Sequence, residues 1–214
     1  MIKYIYGDAL DAFPKLRDTM FKDRAFQFKE RLKWDVAVTD EGHEMDEYDA
    51  LNPLYMIYEL PDGTHGGSMR NLPTTAETMI NDHFTNLTDG VQIISPLIWE
   101  TTRFCLSPKV GKLASRVAAS VCLAGCEAGI QFGLDSSVGV FDARMVHIYK
   151  RIGWEPEILG ASDEGKDAIS AGLWALDEAS KANICAKSGI SAEEVEGWYN
   201  ASFPSISSSD ILVA

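Results

Sequence analysis

The 214-residue sequence has only four cysteines, few cations and no long hydrophobic run. Cys105, Cys122, Cys126 and Cys185 are too few and too scattered for a disulfide framework or a zinc site, so we expect no metal. The longest apolar run, residues 117–126, is about half as long as a bilayer span. Because the N-terminal residues also lack the apolar stretch of a secretory signal, we expect a cytoplasmic protein.

Several common catalytic motifs are also missing. The sequence contains no G-x-S-x-G nucleophile motif, no G-x-G-x-x-G dinucleotide motif and no complete phosphate-binding loop. The nearest fragment, Lys109-Val-Gly-Lys112, lacks the upstream glycine of such a loop. It either binds an anion at the start of a helix or is an ordinary helix start.

The charge is acidic overall but unevenly distributed. Lys and Arg number 19 against 32 Asp and Glu, and the net charge of −13 opposes a role in coating nucleic acid or an anionic membrane. Residues 101–151 differ, because they carry seven cations and three anions. This middle segment is the part of the chain best suited to an acidic partner.

The hydrophobic pattern predicts strands that alternate with helices. Strands are expected at residues 3–6, 54–60, 67–72, 99–106, 137–141, 155–159 and 169–176. Helices are expected after an N-cap at Asp8 and at residues 112–132, 143–151, 178–187 and 192–199. The turn Pro61-Asp62-Gly63 predicts a hairpin between the second and third strands. This order indicates one α/β layered domain with a mixed sheet and a flexible tail at residues 205–214.

A first group of charged and aromatic residues lies near the N-terminus: Arg24, Phe28 and Trp34, followed by Asp46 and Asp49. On a helix Arg24 and Phe28 share one face, because residues four apart are neighbours. Aromatic rings beside a cation and carboxylates suit a ligand with a flat ring, an amine and an acid group. Spacing alone favours the simpler alternative, a solvated basic helix with aromatic residues in the core.

A second group combines Arg70 with Glu100 and Arg103. Glu100 and Arg103 are three apart, so on a regular strand they would point to opposite faces of the sheet. This spacing indicates either a bulge or two distinct roles. A buried Arg–Glu network is equally compatible with an architectural role and with a pocket for a polar ligand.

Together these positions form the pattern of a known family. Nine residues, with the segments DEYD, MRNLPTT and WETTRF around them, resemble the LuxI-type acyl-homoserine lactone synthases of bacterial quorum sensing. They are Arg24, Phe28, Trp34, Asp46, Asp49, Arg70, Phe84, Glu100 and Arg103. Beyond residue 106 the resemblance is looser and depends on element order and on the segment 150–154.

The resemblance implies a three-layer α/β/α fold with a mixed, V-split sheet, similar to the N-acetyltransferases. Residues 1–106 would bind S-adenosylmethionine and supply the catalytic groups, and residues 107–204 would bind the acyl chain and its carrier. The implied reaction joins the amine of S-adenosylmethionine to an acyl group from acyl-acyl-carrier protein or acyl-CoA. Lactone closure then releases methylthioadenosine. S-adenosylmethionine is a substrate in this scheme, and no cofactor is expected.

The resemblance also implies catalytic roles for five residues. Glu100 would be the general base that deprotonates the amine, directly or through a water, and the flanking arginines Arg70 and Arg103 would keep it ionised. Asp46 and Asp49 are suited to the amine and the sulfonium. Arg70 would brace these carboxylates.

The same resemblance implies a binding site for S-adenosylmethionine. Arg24 or Arg103 would hold its carboxylate. Phe28, Trp34 and Phe84 would stack on its adenosyl group or enclose it.

The acyl chain is expected to lie along the long helix and the strand that follows it. The expected lining residues, each of which also fits an ordinary core position, are Leu123, Gly139, Val140 and Phe141. Family members that prefer 3-oxo chains have a Thr on this strand, where this sequence has Gly139 or Phe141. We therefore expect an unsubstituted or 3-hydroxy chain of medium to long length.

Basic residues of the middle segment are expected to dock the acidic acyl-carrier protein. They are Lys109, Lys112, Arg116, Lys150 and Arg151.

Two alternatives remain at this point. One is an N-acetyltransferase-like enzyme that uses acyl-CoA on another amine, although the pyrophosphate motif R/Q-x-x-G-x-G is missing from residues 107–115. The other is a non-catalytic ligand-binding module of the same fold, although every charged position of the family pattern is filled.

Overall fold

A computed structural model describes residues 1–162 and 168–204, and the expected tail at 205–214 lies outside these ranges. The strands form one seven-stranded sheet in the order β1-β2-β3-β4-β5-β7-β6. They are β1 (Ile2–Tyr6), β2 (Leu54–Glu59), β3 (His65–Pro73), β4 (Ile98–Leu106), β5 (Ser136–Asp142), β6 (Glu157–Ala161) and β7 (Ile169–Ala175). The helices are α1 (Pro14–Arg24), α2 (Met79–His83), α3 (Ala114–Gln131), α4 (Met145–Ile152), α5 (Glu178–Ser188) and α6 (Ala192–Ser202).

The sheet is mixed and splits between β4 and β5. These two neighbours are parallel, and their ladder joins only Ile98–Glu100 to Ser136–Val138. All other neighbouring strands are antiparallel. Because β4 continues to Leu106 and β5 to Asp142, the strands separate beyond the third pair and leave a V-shaped cleft. The expected V-split sheet and the β2–β3 hairpin are confirmed.

Helices cover both faces of the sheet, as alternation along the strands requires. On β2, Leu54 and Met56 join the core beneath α3, whereas Tyr55 and Ile57 join a second core beneath α1. A third, smaller core beside α2 includes Ile80, Leu87 and Val138. The three-layer α/β/α architecture is therefore confirmed.

Helix α3 is the central element of the larger core. Every residue from 117 to 129 is buried, and most are Ala, Gly, Val or Cys. By length and composition alone, the segment Pro108–Gln131 could cross a membrane. The shorter apolar run at residues 117–126 did not indicate this. The burial of the longer segment inside the fold is that of a core helix.

The N-terminal helix differs from the expectation at both ends. Asp8 does not cap it, because residues Gly7–Ala12 form a 3₁₀ segment and α1 begins at Pro14, whose fixed φ suits the first turn of a helix. The helix continues into a wider π-helical turn at Ala25–Arg31. The short helix α2 was not expected at all, because its five residues give too little periodicity.

Gly139 keeps the split strands at their observed separation. A Cβ atom at this position would lie 2.8 Å from the carbonyl oxygen of Thr101 on β4 and 3.4 Å from the ring of Trp174. Since the nearest atom belongs to the backbone, the strands would have to move.

We predict that Gly139→Ala lowers the free energy of unfolding by about 1–3 kcal/mol through overpacking. Gly197→Ala is the control, because Gly197 lies on α6 with no neighbouring atom within 4 Å, and alanine should raise stability there by up to about 1 kcal/mol. Urea unfolding measures both changes, and an unchanged midpoint for Gly139→Ala would contradict the steric argument.

Candidate active site

A bulge in β4 brings both Glu100 and Arg103 toward the start of helix α2. Between the pairs Ser68–Cys105 and Arg70–Thr102 the register shifts, so that one residue of β3 faces two of β4. Arg103 occupies the left-handed region at φ 54°, which is rare for a residue with a side chain. Of the two alternatives that the spacing left open, the structure therefore shows the bulge.

Three arginines and three carboxylates form a buried ion network beside this bulge. Its cations are Arg24, Arg70 and Arg103, and its anions are Glu44, Asp46 and Asp49. Arg24 lies 2.6 Å from Glu44 and donates twice to Asp49 at 2.9 Å. Arg70 donates to Asp46 and lies 2.9 Å from Asp49. Arg103 lies 2.9 Å from Glu44 and 2.7 Å from Asp46.

The network determines what Arg24 and Asp49 can do. Burial alone would raise the pKa of Asp49, but the guanidinium groups of Arg24 and Arg70 hold it well below its usual range. Both side chains are about 1% exposed, and the carboxylates of Asp49 and Glu44 surround the Arg24 guanidinium. Arg24 therefore stabilises the site from within, and the expectation that it holds a ligand carboxylate does not fit the geometry.

Asp46 links the network to the acidic loop, residues 40–49. Its side chain accepts hydrogen bonds from the backbone N–H groups of Tyr48 and Asp49, while Asp49 accepts from the N–H of Asp46. This reciprocal capping box starts the 3₁₀ turn Glu47–Ala50. This turn is thus fixed by the same carboxylates that pair with the arginines.

Glu100 is buried next to the network but is not part of it. Its two oxygens accept hydrogen bonds from Met79 N–H at 3.0 Å and Ile80 N–H at 2.6 Å, at the start of α2. Burial raises the pKa of Glu100 to about 7, against the opposing effects of these N–H groups and of Arg70. Arg70 favours the ionised form of Glu100, in the expected direction, but burial outweighs its effect on the pKa.

A cavity of about 630 Å³ opens beside these residues and extends along the split. Near the network its wall contains Phe28 and Trp34, which stack at 5.0 Å with an interplanar angle of 10°. Arg103 also lines this end, 5.5 Å above the Phe28 ring. On the helix side the lining residues Ala114, Ala118 and Cys122 are four apart and leave a groove because they are small.

The structure brings some of the expected lining residues to the cavity and not others. Gly139, Val140 and Phe141 line it. Leu123 does not, because it points into the core from the next position on α3 after Cys122. Phe84 does not line it either, since it packs against the small core of Ile80, Leu87, Val138 and Ala171.

Some of the expected docking residues lie beside the cavity and others do not. All five are exposed, and Lys109 and Lys112 follow the lining residues Pro108 and Gly111. Arg116 lies away from the cavity and pairs with Glu194 at 2.8 Å. Lys150 and Arg151 lie on the outer side of α4, whose inner side faces the cavity.

Besides Asp142, which lines the cavity at the end of β5, three charged residues of the site were missed. Glu44 bridges Arg24 and Arg103 and is fully buried, yet in the sequence it belongs to an acidic run typical of a solvated loop. Arg31 and Arg144 line the cavity, but both occur among ordinary surface charges in the sequence. Only the fold distinguishes these three from their neighbours.

The comparisons with known proteins identify the family of this chain. The family model described as autoinducer synthase matches residues 10–184. An acyl-homoserine-lactone synthase from Rhizobium etli is 40% identical over 178 residues, which cover 81% of this chain and 84% of the relative. The solved AHL synthase LasI is 30% identical with a TM-score of 0.72, covering 83% of this chain and 90% of LasI.

The chain belongs to the autoinducer synthase family. It is an acyl-homoserine-lactone synthase and hence an acyltransferase. The CoA-dependent synthase BjaI, solved with SAM and isopentyl-CoA, shares the fold at 18% identity, with a TM-score of 0.77 over 93% of this chain and 98% of BjaI. A putative N-acetyltransferase from Lactobacillus plantarum matches more distantly, at 15% identity and a TM-score of 0.52 over 82% of this chain and 99% of that one.

The synthase also contains a Ser–His–Asp arrangement that is structural. His65 contacts Asp23 at 2.8 Å and Ser68 at 2.9 Å, and burial lowers the pKa of this histidine. His65 and Ser68 are buried, and none of the three lines the described cavity. The arrangement therefore connects α1 to β3 and presents no accessible nucleophile.

We predict that Glu44→Gln lowers the free energy of unfolding of the synthase by about 3–5 kcal/mol, because it leaves an excess buried arginine charge. Glu41→Gln, in the same loop but exposed, should leave it unchanged. Urea unfolding of both variants tests this, and similar midpoints would mean that Glu44 is not needed for the charge balance.

Proposed function

We propose that the synthase transfers an acyl group from a pantetheine thioester to the amine of S-adenosylmethionine (SAM) and then closes the homoserine lactone. The observation that carries the proposal is the position of Glu100, a carboxylate with a pKa near 7 located where β4 and β5 separate beside the cavity. The proton of an ammonium group passes most readily to a base whose pKa lies near the working pH. The same cleft admits an extended thioester.

SAM would bind at the aromatic end of the cavity. Trp34 is 38% exposed and stacks on the buried Phe28, so its free side can receive an adenine ring. Arg103 lines this end, and its guanidinium is suited to the SAM carboxylate even while it contacts Glu44 and Asp46. The SAM complex of BjaI supports this choice of acceptor.

The acyl transfer would begin with removal of a proton from the SAM ammonium group. Glu100 does not itself line the cavity, whereas Met79, Thr101 and Thr102 do, so a water is the better route for the proton. The freed amine attacks the thioester carbonyl and the C–S bond breaks. The thiolate leaves and takes up the proton that the attacking nitrogen loses as it becomes an amide nitrogen. The acceptor is then an amide.

Lactone closure follows within the same bound molecule. A carboxylate oxygen attacks the carbon next to the sulfonium, and the bond from that carbon to sulfur breaks. Methylthioadenosine leaves with the bonding electrons, so the step needs no further proton transfer. Positioning of the carboxylate by Arg103 is the contribution expected from the protein.

Acyl-CoA and acyl-acyl-carrier protein share the pantetheine thioester, and both are donors in this proposal. The isopentyl-CoA complex of BjaI supports the first. Exposed Lys109 and Lys112, beside the cavity, support the second because carrier proteins of this type are acidic. We further propose that the synthase works in the cytoplasm and uses no cofactor besides its two substrates.

We predict that Glu100→Gln lowers kcat/KM by about 10²–10⁴-fold, because glutamine retains the size and loses the basicity of the carboxylate. In the unmodified synthase, kcat/KM should rise with pH through about 7, as Glu100 becomes ionised. Methylthioadenosine release from SAM and an acyl thioester measures both. The control is Glu77→Gln, an exposed residue before α2. A folded Glu100→Gln enzyme with normal activity would exclude this residue as the base.

We also predict that Lys109→Ala with Lys112→Ala lowers kcat/KM for acyl-acyl-carrier protein several-fold at low salt, and that the loss disappears as salt is raised. Lys3→Ala on β1, where Lys3 pairs with Glu59, is the matched control. Rates for the carrier-bound donor that do not respond to salt would contradict electrostatic docking at this surface.

A further inference from the structure

Four aromatic side chains form the cavity wall beside Gly139, here called the inner end, where a Cβ atom on Gly139 would lie 3.4 Å from the Trp174 ring. Phe141, Tyr149 and Trp174 contact one another edge to face, with centroid distances of 5.0–5.4 Å, and Trp154 lies 6.1 Å from Trp174. All four line the cavity and are buried. A ligand that reaches this end meets these ring surfaces, with the side chains of Cys122 and Asp142 beside them.

The polar atoms of the two tryptophans are already occupied. Trp174 donates its indole N–H to the carbonyl of Trp154 at 3.1 Å, and Trp154 donates to the carbonyl of Ala175 at 2.9 Å. The Tyr149 hydroxyl has no hydrogen-bond partner among the described residues, although Tyr149 is only 8% exposed. The oxygen of this hydroxyl is not among the fully buried unpaired polar atoms, so it is open to the cavity, where a ligand can pair with it.

The other hydroxyl groups of the cavity wall are engaged within the protein. Thr101 contacts Ser137 at 2.6 Å and donates to Asn71 at 3.0 Å. Thr102 accepts from Arg70 at 3.0 Å, and Ser107 accepts from a backbone N–H at 3.3 Å. Tyr149 therefore has the one lining hydroxyl, within residues 1–162 and 168–204, that no protein group satisfies.

Tyr149 is a hydrogen-bond donor at all working pH values. Burial, together with the nearby Cys122 and Asp142, raises the pKa of its phenol well above the ordinary value, so the group stays protonated. A protonated phenol in an apolar region is matched by an acceptor oxygen on the ligand.

We propose that the Tyr149 hydroxyl donates a hydrogen bond to an oxygen substituent on the acyl chain, so that the synthase prefers a hydroxy- or oxo-substituted acyl chain to an unsubstituted one of equal length. The proposal rests on the proposed function, since it assigns the inner end of the cavity to the acyl donor. It differs from the expectation drawn from the sequence, because it disfavours an unsubstituted chain and admits an oxo-substituted one.

The test compares three CoA thioesters of one chain length: unsubstituted, 3-hydroxy and 3-oxo. We expect Tyr149→Phe to lower kcat/KM about tenfold for one or both oxygenated donors and to leave the unsubstituted donor within about twofold, the effect of one lost net hydrogen bond. Phenylalanine keeps the ring packing with Phe141 and Trp174. Tyr199→Phe is the control, because Tyr199 is on α6 and does not line the cavity.

The outcomes separate the sources of the acceptor oxygen. An equal loss for all three donors would place the contact on the pantetheine arm or on the leaving thiolate and would overturn the proposal. No loss for any donor would overturn it as well. Calorimetric titration of the same thioesters measures the preference without turnover. Absence of methylthioadenosine with an intact binding preference would therefore count against the proposed reaction and not against the role of Tyr149.

Discussion

Charge neutrality of the buried network of three arginines and three carboxylates is the constraint on which the active site depends. A single arginine or carboxylate at this depth would carry a large desolvation cost, which the partners offset only as a complete set. The set includes groups from α1, the acidic loop, β3 and β4, so these elements cannot be placed independently. Because it is balanced, it adds little net positive charge at Glu100. Burial then dominates the pKa of that carboxylate and brings it to about 7.

The second constraint is geometric, and it comes from the backbone of β4. The bulge at Arg103 turns this side chain toward the network, and the strand leaves β5 after three ladder pairs. The bulge and the split thus place the ionic end of the site against the opening of the cleft. A regular strand would have sent Arg103 to the opposite face. The left-handed backbone at Arg103 is therefore linked to the ionic end of the site.

The sequence predicted the elements and most of the ionic residues, because both leave local patterns. Strand alternation, turn residues and the helical period located nearly every element within a few residues. What it could not predict depends on long-range packing. Glu44 is equivalent in composition to its exposed neighbours until the fold buries it between two arginines. Cys122 and Leu123 are both apolar helix residues, and only the crossing of α3 over the sheet decides that the first lines the cavity. Phe84 belongs to the family pattern, yet its contacts are set by its position directly after α2, a helix too short to predict from the sequence.

The two ends of the cavity recognise ligands by different interactions. One end contains paired charges, and the other contains aromatic rings and small side chains. At the ionic end, the groups are fixed in pairs, so a substitution that changes one charge disturbs the whole network and the fold with it. At the inner end, the walls are rings and small side chains whose polar atoms are mostly satisfied by the backbone. Changes of shape there alter which ligand fits at a modest cost in stability. Substitutions in the inner wall can thus change which acyl chain is preferred, while the chemistry at the split stays constant. The Tyr149 hydroxyl, which has no protein partner in that wall, is the group that would recognise a polar substituent on the chain.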